Sequence, residues 1–63
     1  MGMNDIMFLK QELPKHHVVV EGWSRSKAYA TKRALDKHFN PHDKFIELKY
    51  DKEKQIARFE LVS

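Results

Sequence analysis

Residues 17–41, HVVVEGWSRSKAYATKRALDKHFNP, decide the fold of this chain. The run His17-Val18-Val19-Val20-Glu21 is β-branched and suits a strand, because branched side chains pack well on a pleated surface. Three adjacent valines imply burial on both faces, as in a central strand. Gly22 ends the run. Ser24 follows as N-cap of a helix that continues to about Phe39. Asn40-Pro41 stops that helix, since the residue before a proline avoids helical geometry. Ala28, Ala30 and Ala34 are strong helix formers. Ala28, Thr31, Leu35 and Phe39 recur at helical spacing and form one stripe that should face a sheet.

Downstream the pattern alternates. Lys44 to Tyr50 places Ile46, Leu48 and Tyr50 on one face, and Gln55 to Val62 places Ala57, Phe59 and Leu61 on one face. The polar loop Asp51-Lys52-Glu53-Lys54 joins them, which predicts a hairpin. Upstream the signal is double. Ile6, Leu9 and Leu13 have helical spacing after Asn4, yet Ile6 and Phe8 also alternate with Asp5 and extend to Lys10. The strand reading is preferred, because a lone strand before the helix leaves a thin three-stranded sheet. The expected fold is a single α+β domain over residues 1–63. One helix packs on a three- or four-stranded, mainly antiparallel sheet in the order β-β-α-β-β.

A chain of 63 residues makes one small domain. It buries roughly 60% of the surface its unfolded form exposes, so its core is thin. Small domains add disulfides, a metal or a second subunit. With no cysteine, disulfides and thiolate metal sites are excluded, a reducing compartment such as the cytoplasm fits, and self-association remains as the supplement. The composition, 41% hydrophobic and 33% charged, is that of a folding chain. No stretch is long and apolar enough for a leader or a membrane span, and no membrane partner is expected. Met3 serves as well as Met1 for a natural start, so residues 1–4 are expected to be disordered or an added remnant.

Catalytic patterns are missing. There is no thiol, no Gly-x-Ser-x-Gly turn, no phosphate-cradling loop of Walker type and no His-Glu-x-x-His helix. A non-enzymatic protein without cofactor or metal is expected. His16 and His17 are neighbours on an extended segment and point apart. His38 and His42 straddle the helix end, where a cation complements the dipole. A zinc site would need these histidines to converge with a carboxylate such as Asp43. Trp23, at the strand-to-helix joint, reads first as a packing residue, and second as a base-stacking or interface residue.

The helix carries Arg25, Lys27, Lys32, Arg33 and Lys37 against a single acid, Asp36. Arg25, Tyr29, Arg33 and Lys37 follow at i, i+4, i+8 and i+12, forming a ridge opposite the apolar stripe, flanked by Ser26 and Lys32. Solvated faces usually mix both signs. Cations in a first helical turn oppose the dipole by roughly 0.3–1 kcal/mol each. Ser24, Arg25, Ser26 and Lys27 therefore resemble an anion or phosphate site. On the hairpin, Glu47, Asp51, Glu53 and Glu60 alternate with Lys49, Lys52, Lys54 and Arg58, and cross-strand pairing of opposite charges is expected there.

The formal net charge of +3 permits a nucleic acid or an acidic protein as partner. The leading expectation is a nucleic-acid-binding or regulatory module acting through the ridge. The alternative is a protein-interaction module, an inhibitor or adaptor of the kind phages and mobile elements encode, set on an acidic protein surface. Val19, Phe45, Ile56 and Val62 alternate away from the helix-facing residues. Together with Trp23 they mark an expected interface, and the uncovered apolar face predicts a homodimer.

Overall fold

The computed structural model describes residues 2–63, with side chains from Asp5 onward. The element order is α1 (Gly2–Glu12), β1 (Val18–Glu21), α2 (Arg25–Phe39), a 3-10 turn (Asn40–His42), β2 (Phe45–Asp51) and β3 (Ile56–Val62). The α+β class and the single central helix-and-hairpin unit follow the sequence reading. The β-β-α-β-β order does not: a helix stands where the first strand was expected. Residues 2–4, expected to be disordered or an added remnant, form the start of α1, and Met1 lies outside the described residues.

The reason for α1 is packing. As a helix, the segment turns Leu9 and Leu13 inward together, and both are buried, with Ile6 packed beside them. A strand through Ile6, Phe8 and Lys10 would set Leu9 on the opposite face from Ile6. The helix also leaves Met7 and Phe8 about half exposed on its outer side.

The sheet has three strands in the order β1-β3-β2, with both pairings antiparallel. The valine run is therefore an edge strand, not a central one. Only Val18 is buried, Val20 is intermediate and Val19 faces solvent. The centre belongs to β3, the return strand of the hairpin, which inserts between β1 and β2. Those two strands, each antiparallel to β3, run parallel to one another.

Registers place Val18 opposite Phe59 and Val20 opposite Ala57 on one side, and Leu48 opposite Phe59 and Ile46 opposite Leu61 on the other. Residues directly opposite share a face, so these form the helix-facing side. Both helices cover it. Ala28, Thr31, Leu35 and Phe39 of α2 are all buried, as the stripe predicted. α2 lies along β2, and α1 lies against α2. Among the described residues the other sheet face carries no helix.

Joints hold this arrangement. Gly22, at φ 79°, turns the chain out of β1, and its N–H donates to the Gln55 carbonyl at 2.8 Å. The Trp23 N–H reaches the same carbonyl at 3.3 Å. Gln55 itself takes a left-handed conformation, φ 54°, at the end of the hairpin loop. Asp51 holds that loop by accepting from the N–H groups of Glu53 and Lys54. Tyr50 donates its hydroxyl to the Trp23 carbonyl at 2.6 Å, fixing the start of α2 over the sheet.

Leu9→Ala and Leu35→Ala should each cost about 2–5 kcal/mol, the usual range for emptying a packed leucine site. Urea denaturation measures both. A cost below about 0.5 kcal/mol for Leu9→Ala would place α1 outside the cooperative unit, since changes that small are typical of surface sites.

Candidate functional site

The start of α2 is built by Ser24. Its backbone is extended, and its hydroxyl accepts the Lys27 N–H at 3.2 Å. Its carbonyl accepts the Ala28 N–H at 3.0 Å. Ser24 is thus a structural cap. The next two N–H groups, of Arg25 and Ser26, have no intrahelical acceptor by geometry.

Arg25, Ser26, Tyr29 and Arg33 line a shallow, open groove of about 360 Å³ on the outer side of α2. All four are exposed. The Arg25 guanidinium sits 5.5 Å from the centre of the Tyr29 ring, a cation–π contact that orders both side chains. Lys37 is exposed one turn beyond Arg33. The groove therefore offers two guanidiniums and two hydroxyls, all able to donate hydrogen bonds to an anion. Among the described residues, Arg25, Arg33 and Lys37 make no ion pair.

Two of the five helix cations are engaged elsewhere. The Lys27 ammonium lies 4.4 Å from the centre of the Trp23 ring and 3.2 Å from Asp5 Oδ2 of α1. That contact explains a first-turn lysine without an anion: Lys27 clamps α1 to α2 across the indole. Lys32 pairs with Asp36 at 2.8 Å, one turn on. Asp36 Oδ1 in turn accepts the Ile46 N–H at 2.6 Å, tying α2 to β2. Of the residues expected to bind, Arg25, Ser26, Tyr29, Arg33 and Lys37 are exposed on α2, whereas Ser24 caps the helix and Lys27 and Lys32 are held by acids. Nothing in local sequence marked Asp5 as the partner of Lys27, because the two lie on different helices.

The histidines do not converge. Among the described residues no three His, Cys, Asp or Glu side chains gather as a metal site. His38 stacks edge-on against Phe39, and His42 is exposed. His16 contacts the His17 carbonyl through Nδ1 at 2.7 Å and Glu12 Oε1 through Nε2 at 2.9 Å. The carbonyl first and the carboxylate second hold its pKa above the ordinary value.

The residues expected as an interface divide. Trp23 is buried, edge-to-face with Phe59 at 5.8 Å, and so packs the core. Val19, Phe45, Ile56 and Val62 do lie on the open sheet face, but they do not merge. Phe45 and Val62 are opposite one another at one end, while Ile56 stands between Glu21 and Asp51 at the other. Between these ends Val19, Arg58 and Lys49 form a row, beside the pair Glu47 and Glu60. Like charges thus stand directly opposite, contrary to the pairing expected from alternation. Relief comes along the strand, where Arg58 reaches Glu60 at 3.2 Å. Among the described residues no helix is long and apolar enough to cross a membrane.

Lys27→Ala should lower stability by about 1 kcal/mol, the scale of one partly desolvated cation–π contact, as read by thermal or urea unfolding. An unchanged midpoint would remove the clamp. The His16 contact stabilises the charged imidazole. Its contribution is present below the ordinary value of 6.5 and is lost as pH rises through the raised folded-state value. NMR titration of His16 should show the elevation, and Glu12→Gln should reduce it without abolishing it, because the backbone carbonyl remains. Compared with family models, curated proteins and solved structures, the chain matches none.

Proposed function

We propose that this chain is a small, non-enzymatic nucleic-acid-binding module that holds the phosphate backbone along the outer face of α2. The observation that supports the reading is the groove lined by Arg25, Ser26, Tyr29 and Arg33, with Lys37 continuing the line. Guanidiniums are suited to phosphate, because their donor fork matches two phosphate oxygens. Hydroxyls of Ser26 and Tyr29 add neutral donors of the kind that position a backbone without reading sequence. The cations that serve the fold, Lys27 and Lys32, are paired with acids. Those on the groove face are not paired among the described residues. This division is what separates a binding surface from a merely solvated one, where both signs mingle.

The openness of the groove favours an extended polymer over a small molecule, which typically sits in an enclosed pocket. With Arg25 lying against its ring, Tyr29 presents its hydroxyl and edge more than a free face. The reading therefore assigns it a backbone contact in preference to base stacking.

Fluorescence titrations with single- and double-stranded DNA and RNA at several salt concentrations test the proposal. Affinity should fall linearly on a log–log salt scale, and Arg25→Ala, Arg33→Ala and Lys37→Ala should each reduce the slope by about one. The loss should be similar for every nucleic-acid sequence. Tyr29→Ala should cost about 1 kcal/mol, as for a single hydrogen bond, and not the 1–3 or so of a lost stacking platform. Lys27→Ala should leave the slope nearly unchanged. No binding at low salt to any of the four nucleic acids would end this reading and pass the same face to an acidic protein partner, whose binding would depend less on salt.

A further inference from the structure

The sheet has two outer edges, and they differ. The edge of β2 is closed at one point, where Asp36 takes the Ile46 N–H. The edge of β1 is bare. Because the Ile46 N–H points away from β3, Leu61, Phe59 and Ala57 turn their own N–H and C=O groups toward β1. Val18 and Val20 bond inward to them, and Gly22 continues that parity by donating to the Gln55 carbonyl at 2.8 Å. Val19 and Glu21 consequently point both backbone groups out of the sheet, and no described residue pairs with them. Such an edge is a template for another strand.

We propose that this edge pairs with the same edge of a second copy of the chain, antiparallel, with Val19 opposite Val19. The register is self-complementary. On the open face the two Val19 side chains, each 49% exposed in the single chain, meet one another. Glu21 meets His17, the residue just before the strand, whose ring donates to a carboxylate in either its neutral or its charged form. On the helix-facing side Val18 meets Val20. A register moved toward Gly22 sets Glu21 against Val19, or against itself, which opposes pairing. The His17 carbonyl already receives the His16 ring, so the pairing rests on the Val19 pair and on the Glu21 carbonyl accepting the His17 N–H. Pairing edge to edge about a twofold axis normal to the sheet gives six continuous strands. Both helical layers then lie on the same side, and the two α2 grooves face the same way.

Light scattering and sedimentation of the full chain at high micromolar concentration should give twice the 7.5 kDa of one copy. Val19→Pro removes an N–H that makes no bond within the chain, a position where an edge strand tolerates proline. It should yield a monomer with unchanged helical circular dichroism and cooperative unfolding. Glu21→Lys should loosen the dimer about tenfold, since it removes the carboxylate that accepts from the His17 ring in both symmetric pairs. His17→Glu added to Glu21→Lys should restore it. Hydrogen exchange should show the Val19 amide protected at high concentration and unprotected on dilution. A wild-type monomer throughout that range overturns the proposal. So does a folded Val19→Pro that remains dimeric. If Val19→Pro fails to fold, the charge series decides: a double variant no tighter than Glu21→Lys alone refutes the register.

Discussion

The burial of Phe59 is the contact on which the other layers depend. It sits on the central strand, fully out of solvent, with Val18 opposite it on one neighbour and Leu48 on the other. Trp23 meets its ring edge-on, and Ala28, Leu35 and Phe39 of α2, Leu9 of α1 and Leu13 just after it join the same cluster. The cluster around it thus ties together three strands and two helices. Among the described residues the buried apolar side chains form one cluster. The topology follows from it: only the central strand has neighbours on both sides, so the residue that fills the middle of the core has to sit on β3.

What was legible beforehand was what local pattern governs. The span of α2, its cap at Ser24, its stop before Pro41 and its buried stripe all follow from helical spacing and the chemistry of single residues. The hairpin, and the faces of Ile46, Leu48, Tyr50, Ala57, Phe59 and Leu61, follow from alternation. The misreadings have a common cause in longer range. Ile6 to Leu13 satisfies two periods at once, and only the need to cover the sheet beside α2 selects the helix. The valine run is apolar enough for a central strand, but strand order is set by where the hairpin inserts, and no window around Val19 contains that information. The hairpin charges alternate along each strand, yet the register decides what faces what, and it sets Lys49 against Arg58 and Glu47 against Glu60.

The same limit applied to the cations. Five on one helix read as a single surface, although they serve two purposes. Lys27 and Lys32 are structural: each is held by an acid, Asp5 or Asp36, and in each case the contact joins elements or reaches a residue that does. Among the described residues Arg25, Arg33 and Lys37 are held by no acid. The type of cation is consistent with this split on the groove itself, where both lining cations are arginine. A lysine suits a clamp over an indole, as a compact charge on a flexible stem, whereas the planar guanidinium suits two-point contact with phosphate.

The remaining cost of this architecture lies in the sheet. Three strands with helices on one side leave one face and two edges to water. The open face is handled by charge in rows, negative beside positive, which keeps it wet and breaks its apolar residues into separate ends. The edge of β2 is handled by Asp36, which withdraws Ile46 from any foreign strand. The edge of β1 has neither device. It carries no lysine, no proline and no bulge, and its outward side chains are those of Val19 and Glu21. Strands left in that state associate unless something prevents it, and the sign pattern from His17 to Glu21 favours one association over its shifted alternatives. The bare edge and the groove lie on different elements. Whatever α2 binds, the free backbone groups of Val19 and Glu21 remain available to a second strand.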